Sequence, residues 1–169
     1  ITGYDYINNI STIKAQVFDA TSTHYVDMLS IPLERYAVST HDDFIHGTIT
    51  VGLWNASGNY PTTLIDSATM AANDVAFPPP TSYVWYNFSI DRTLLTSGQQ
   101  YAVSYTHNGN AGDYSGFNII DYASATFSGL YEKKSTNNGT TWVDDGTAQR
   151  PYKIILTADV PAVTTTAAT

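Results

Sequence analysis

The side chains best suited to bind a transition metal lie in a loop at residues 41–46 (HDDFIH). His41, Asp43 and His46 place two imidazoles and a carboxylate close together in the chain, and these groups are suitable ligands for such an ion. No helix sets a defined spacing for them, so a solvated turn is the alternative interpretation.

A second loop, residues 108–113 (NGNAGD), offers oxygen ligands. Asn108, Asn110 and Asp113 lie within it, and hard oxygen ligands at short intervals are typical of calcium loops. Only one of the three carries a charge and no bidentate Glu accompanies them, so a structural calcium ion is the most that this loop suggests. Asp144 and Asp145 form a second acidic candidate for the same ion.

The carboxylates do not follow the pattern of an enzyme. Glycoside hydrolysis needs two acids facing each other across a cleft. The two glutamates, Glu34 and Glu132, each precede a basic residue, Arg35 and Lys133, which favours neutralised surface charge. The chain contains neither a G-x-S-x-G nucleophile elbow nor a phosphate-binding loop. We therefore expect a non-enzymatic protein without an organic cofactor.

Aromatic residues suggest a binding surface. They form 13% of the chain, including 13 Tyr and 3 Trp, and flat exposed rings beside polar groups stack on the C–H faces of sugars. The alternative is that these rings cover the ends of the fold or pack at subunit interfaces, where Tyr and Trp are also enriched. Four rings at predicted strand ends or opposite the aliphatic face are the candidates: Trp54, Tyr60, Trp85 and Trp142.

Four Asn-x-Ser/Thr sequons could accept glycans if the protein is exported. They begin at Asn9, Asn55, Asn87 and Asn138. Asn55 and Asn138 lie in predicted turns, and Asn87 lies on the predicted outward face of a strand. Because Asn, Ser and Thr are frequent in this chain, two or three such motifs are expected by chance.

Charge excludes several classes of partner. The net charge is −8, with only 7 Lys and Arg, so the chain offers neither a phosphate-binding stripe for nucleic acid nor a basic patch for anionic membranes. No apolar run is long enough to predict membrane insertion. The absence of Cys excludes a disulfide framework and thiolate metal sites.

The elements that must position these residues are β-strands. Residues 83–105 (YVWYNFSIDRTLLTSGQQYAVSY) alternate inward and outward positions with a period of two, and Ser97-Gly98 favours a turn between two strands of a hairpin. Similar alternation predicts strands at residues 14–20, 25–37, 48–54 and 151–158, the third with Ile49, Val51 and Leu53 inward. Pro32 suggests that its strand lies at a sheet edge or contains a bulge.

About nine or ten strands with turn signals between them predict an all-β fold, a single antiparallel β-sandwich of jelly-roll type. Residues 15–36, 47–70 and 85–105, together with the closing segments LYEKKSTNNGTTWV and RPYKIILT, resemble the extracellular jelly-roll sandwich of surface-anchored repeat proteins, phage structural proteins and carbohydrate-binding modules. The resemblance covers most of residues 15–157. It implies a fold, and it implies binding and structural roles alike.

The final residues suggest how such a domain assembles. We expect a sandwich over residues 1–158, followed by a Thr- and Ala-rich tail at 159–169. The tail is a linker, folds back on its own domain, or adds as a strand to the sheet edge of another copy. Its β-branched residues are the candidates for strand addition: Val160, Val163, Thr164, Thr165 and Thr166.

The resulting hypothesis is an extracellular or cell-surface subunit that polymerises with copies of itself after removal of a signal peptide. The alternatives are a carbohydrate-binding module of a larger secreted protein that binds a polysaccharide, and a structural protein of a phage or virus.

Overall fold

The computed structural model describes residues 3–7, 12–37, 47–75, 84–109, 115–121, 131–145 and 153–156. Within these ranges lie eleven strands and one 3-10 turn at Ala72–Asp74. The strands are β1 (Gly3–Ile7), β2 (Ile13–Asp19), β3 (His24–Ala37), β4 (Thr48–Ser57), β5 (Tyr60–Ala71), β6 (Val84–Leu95), β7 (Gln100–His107), β8 (Ser115–Asp121), β9 (Tyr131–Ser135), β10 (Val143–Asp144) and β11 (Lys153–Leu156).

The strands form two antiparallel sheets. A five-stranded sheet has the order β1-β8-β3-β11, with β6 also paired to β3, and a six-stranded sheet has the order β10-β9-β2-β7-β4-β5. The predicted all-β antiparallel sandwich is therefore confirmed. The two-residue strand β10 is shorter than strand periodicity can detect. In the described part of the chain, no helix is long and apolar enough to cross a membrane.

The hydrophobic core lies between the two sheets. In β4 the residues predicted to point inward, Ile49, Val51 and Leu53, are all 0% exposed, because alternate residues of a strand face opposite sides of a sheet. The core contains side chains from both sheets: Phe18, Val26, Leu29, Ile31, Leu33, Ile49, Val51, Leu53, Phe88, Ile90, Leu95, Tyr101, Val103 and Tyr105.

The predicted hairpin at residues 83–105 is wrong as a pairing, although both of its strands exist. β6 pairs with β3 in the five-stranded sheet, whereas β7 pairs with β2 and β4 in the six-stranded sheet. The turn between them, with Gly98 at φ +82°, therefore crosses from one sheet to the other. Alternation predicts which face of a strand is buried, but it does not predict which strand lies beside it. Because β6 and β7 both face the same core, their patterns look the same whether or not they pair with each other.

The prediction of an edge strand at Pro32 is also wrong. β3 is interior, with β6 on one side and both β11 and β8 on the other. Pro32 pairs with Trp85 of β6, but on the opposite side β11 pairs only as far as Ser30 and β8 begins at Leu33. Proline has no N–H to donate, and here it lies where β3 changes partners. The register shift of β3 occurs elsewhere, between Val26 and Met28.

The two sheets approach each other closely at the corner formed by β5 and β6. The Asp66 carboxylate of β5 accepts a hydrogen bond from the backbone N–H of Asp91 in β6, with an N–O distance of 2.6 Å. Such a charge-assisted bond is stronger than one between neutral groups. It therefore ties the edge of one sheet to the edge of the other.

Candidate functional site

Two of the candidate aromatic residues meet on the outer face of the six-stranded sheet. Trp54 follows the inward residue Leu53 in β4, so it points away from the main core. Its ring and that of Trp142 stand edge to face, with centroids 5.4 Å apart and an interplanar angle of 84°. This is a favourable geometry for two aromatic rings. Below them, a floor of small side chains completes a second hydrophobic cluster: Ala15, Val17 and Ala102.

Trp54 is a buried structural residue. Its side chain is 9% exposed, and its Nε1–H donates to the Ser104 hydroxyl at 2.7 Å. Both the ring and its polar atom are therefore already occupied by contacts within the domain. A sugar cannot stack on this ring without displacing the chain above it. The predicted sugar-binding role of Trp54 therefore does not fit the geometry.

The chain above Trp54 is the connection between β9 and β10. A Cβ added at Gly139, which has φ +80°, would lie 2.7 Å from Cη2 of Trp54, so glycine is required for this close approach. The turn is held by Asn137, whose Oδ1 accepts from the N–H of Thr141 at 2.9 Å, and by Ser135, whose hydroxyl accepts from the N–H of Gly139 at 2.8 Å. The turn predicted around Asn138 is thus confirmed, with a φ of 55° at that residue.

Tyr60 lies beside this cluster. Its side chain is 38% exposed, more than that of Trp54. The ammonium group of Lys133 lies 4.1 Å from the centre of the Tyr60 ring, a cation–π contact. The same ammonium group forms an ion pair with Asp144, and the Tyr60 hydroxyl lies 3.4 Å from Oδ1 of that carboxylate. Tyr60, Lys133 and Asp144 thereby join three elements: β5, β9 and β10.

Asp145 follows β10 and anchors the end of the segment that begins with the β9–β10 connection. Its two carboxylate oxygens pair with Lys14 of β2 at 2.9 Å and Lys134 of β9 at 2.8 Å, while its side chain is only 12% exposed. Its backbone N–H donates to the carbonyl of Glu132 at 3.2 Å. Partial burial weakens screening by water and salt, so these pairs are stronger than ordinary surface pairs.

The ion pairs lower the pKa of both carboxylates. For Asp144, the hydrogen bond from Lys133 is the main cause that holds the pKa below its ordinary value of 3.8. For Asp145, burial raises the pKa and is the largest single influence, but hydrogen bonds from Lys134 and Lys14 outweigh it and the pKa falls below 3.8. Both groups are therefore anionic at neutral pH.

The predicted surface pair of Glu132 and Lys133 is wrong, since these residues are 2% and 4% exposed. They are adjacent in β9 and so face opposite sides of the six-stranded sheet. The residue opposite Glu132 is Gln16 of β2, whereas Lys133 is covered by Tyr60 and the segment around Asp144. A strand with both faces covered buries charged residues that its sequence suggests are exposed.

The predicted calcium candidates are engaged in other contacts where the structure describes them. Asp144 and Asp145 pair with lysines, and the Asn108 Oδ1 accepts from the N–H of Thr48 at 2.9 Å. In the described ranges no three His, Asp or Glu side chains are grouped as metal ligands. The remaining metal candidates lie outside the described residues: Asn110, Asp113, His41, Asp43 and His46.

Trp85 does not join the other candidate rings. It pairs with Pro32 in the five-stranded sheet, and it precedes Tyr86, which packs against the main core. Trp85 therefore belongs to the opposite face of the sandwich from Trp54. Three of the four candidate aromatics come together, and the fourth does not.

The sequons differ in their surroundings. Asn55 is exposed but lies within β4, because the β4–β5 turn comprises only Gly58 and Asn59, at φ 58° and 67°, so its predicted place in a turn is wrong. Asn87 is exposed on β6 and accepts a hydrogen bond from the Ser30 hydroxyl. Asn138 is exposed in its turn, and Asn9 lies outside the described residues. Glycosylation of these residues stays a prediction.

The lysines at this site, Lys14, Lys133 and Lys134, are not among the residues predicted for it. A signal was present: Lys133-Lys134 and Asp144-Asp145 flank the Asn137-Asn138-Gly139 turn, and antiparallel pairing sets Lys133 opposite Asp144. Opposite charges on facing strands stabilise a hairpin. Nothing in the sequence pointed to Lys14 or to the Ser104 hydroxyl.

In comparisons with known proteins, no family model and no curated protein matches this chain.

Proposed function

We propose that this protein is a non-enzymatic structural subunit that assembles with copies of itself on a cell surface or in an extracellular fibre. The location of the exposed apolar side chains supports this proposal. The large apolar side chains that are exposed in the described residues all belong to strands at sheet edges: Tyr60 and Leu64 in β5, Val84 and Leu94 in β6, and Val143 in β10.

Exposed apolar residues on edge strands favour strand addition. An edge strand presents unpaired backbone groups, and proteins usually protect such edges with charged residues. β5 has twelve residues but one charged side chain, Asp66, which is bound to β6. An added strand would gain backbone hydrogen bonds from this edge and packing against residues such as Leu64, which is 44% exposed. The Thr- and Ala-rich tail of a second copy is the proposed strand.

Deleting residues 159–169 is expected to abolish assembly and to leave a folded monomer. The deletion removes the proposed donated strand, which lies outside the described residues, and keeps every core residue in the described part of the chain. Light scattering of the purified protein reports the mass, and far-UV circular dichroism reports the sheets. Leu64→Lys is expected to weaken assembly about tenfold, since a charge at a packing contact costs roughly 1–2 kcal/mol.

Asn55→Lys is the matched control for Leu64→Lys. Asn55 is exposed on β4, which has neighbours on both sides, so the same added charge lies away from a free edge and is expected to leave assembly unchanged. Filaments that persist after the deletion would contradict strand donation by the tail. Equal effects of the two lysine substitutions would contradict the choice of the β5 edge.

Carbohydrate binding is the second candidate function, supported by the convergence of Tyr60 and Trp142 beside charged groups. Tyr60→Ala and Trp142→Ala are each expected to weaken binding to a polysaccharide about tenfold, because losing one stacking ring removes about 1.4 kcal/mol. Affinity electrophoresis in gels containing the polysaccharide measures this. Trp85→Ala on the opposite face is the control, and equal losses in all three variants would exclude a site on this face.

A further inference from the structure

The two halves of β5 differ in how regularly they pair with β4. Residues 66–71 face residues 48–53 of β4 one for one, without a register shift. The preceding residues, 60–65, include Pro61, and two register shifts interrupt their pairing with β4. Bulges bend a strand and protect a sheet edge from further pairing. The regular half is therefore where β5 can accept another strand.

The direction of the backbone identifies the groups at this edge. The N–H of Ala72 donates to the carbonyl of Gly47, next to β4, at 3.0 Å. In an antiparallel pair, successive residues alternately bond to the partner strand and point away from it. Counting back from Ala72, residues 70, 68 and 66 bond to β4, and the residues between them point to the open edge: Ser67, Thr69 and Ala71. Because β5 is the last strand of its sheet in the described part of the chain, these groups are available to a partner.

The side chains of this half differ between its two faces. Ala68 and Met70 pack against the main core, whereas Ser67 and Thr69 are exposed on the outer face, because alternate residues of a strand point to opposite sides. An added strand would therefore meet apolar side chains on its inner side and hydroxyl groups on its outer side.

Leu64 lies beside this half, although it belongs to the irregular one. A Cβ added at Gly52 would lie 3.0 Å from Cδ1 of Leu64, and Gly52 pairs with Ser67. The exposed Leu64 side chain therefore offers an apolar contact at the outer margin of the same edge.

The single charged residue of the regular half does not protect the β5 edge. The Asp66 carboxylate accepts from the N–H of Asp91 in β6 at 2.6 Å, so its charge points toward the other sheet. Around that N–H the β6 strand bulges, since residues 90–92 lie opposite a single position of β3. A bulge and a bound carboxylate both interfere with strand addition. The β6 edge is therefore closed at its middle, while the regular half of β5 stays open.

We propose that residues 66–71 are the receiving edge and that residues 163–167 of a second copy add to it as a strand, an inference that rests on the assembly proposed above. The donated segment, VTTTA, contains neither a charged side chain nor a proline. Its alternation places one row toward Ala68 and Met70 and the other toward Ser67 and Thr69: Val163, Thr165 and Ala167 in the first row, Thr164 and Thr166 in the second. Backbone hydrogen bonds to the three outward residues provide affinity, and the row with Val163 and Ala167 fixes the register.

Thr69→Pro tests the receiving edge, because it removes the central outward N–H without removing a bond to β4. We expect the concentration at which the full chain assembles to rise about tenfold, the effect of one lost hydrogen bond. Thr69→Ala, which keeps the N–H, should assemble as the parent does. Light scattering measures assembly, and far-UV circular dichroism checks that each variant is folded.

A synthetic peptide of residues 159–169 tests the donated strand on the unaltered full chain. Excess peptide should compete with the tail of the second copy and dissolve the assemblies. The same peptide with Thr165→Pro, which lacks the central N–H of the donated strand, should leave them intact. This measurement also decides the matter if Thr69→Pro fails to fold.

The outcomes separate this inference from the proposed function. Assembly that neither Thr69→Pro nor the peptide changes would overturn the inference but not self-assembly. Competition by the peptide without an effect of Thr69→Pro would place the donated strand at another edge. An effect of Thr69→Pro without competition would mean that the β5 edges of two copies pair with each other, which also overturns the assignment. A full chain that stays monomeric at every concentration would contradict the proposed function itself.

Discussion

Replacing Trp54 with alanine is expected to lower the free energy of unfolding by about 3–5 kcal/mol, the range for truncating a buried Trp or Phe. The ring is 9% exposed and lies between the floor of small residues and the segment at residues 136–145. Its removal would leave a cavity under Gly139 and take away the edge-to-face contact with Trp142. Urea unfolding followed by circular dichroism measures the loss.

Trp54→Phe separates packing from hydrogen bonding at this position. Phenylalanine keeps most of the ring but has no N–H for the Ser104 hydroxyl, which is buried. Leaving such a group without its partner costs about 1–3 kcal/mol, so an intermediate loss is expected. Trp54→Ala with unchanged stability would contradict the structural role and would return this residue to the candidate sugar-binding surface.

Replacing Gly47 with alanine is expected to destabilise the protein by about 2–5 kcal/mol, from backbone strain together with disrupted hydrogen bonds. Gly47 has φ +93°, and an added Cβ would lie 2.4 Å from the backbone oxygen of Asn108. The chain around Asn108 would have to move, and it exchanges two hydrogen bonds with Thr48 at the start of β4. Thermal unfolding by calorimetry reports the change.

Gly98→Ala is the control for the close contact at Gly47. Gly98 has a similar backbone conformation, at φ +82°, but open space where its Cβ would lie. Alanine there adds only backbone strain, with an expected loss of about 1–2 kcal/mol. If the two substitutions destabilise the protein equally, the contact between Gly47 and Asn108 contributes nothing beyond the glycine conformation.

Trp54 and Tyr60 show why an aromatic residue type does not predict whether the ring is exposed. The sequence places Trp54 and Tyr60 near the end of one strand and the start of the next, so both qualify as surface rings. The segment that buries Trp54 comes from residues 136–145, and no local pattern relates it to β4. Tyr60 stays 38% exposed because it lies at the margin of that segment.

The sequence by itself determined the all-β class, most of the strands and the buried face of β4, because these depend on residues two positions apart in one strand. The tertiary structure alone decided that β6 and β7 belong to different sheets, that Pro32 lies where β3 changes partners and that Lys133 is buried. Each of these depends on which distant segment lies alongside. Periodicity within a strand contains no information about that neighbour, since pairing is set by the packing of the whole chain.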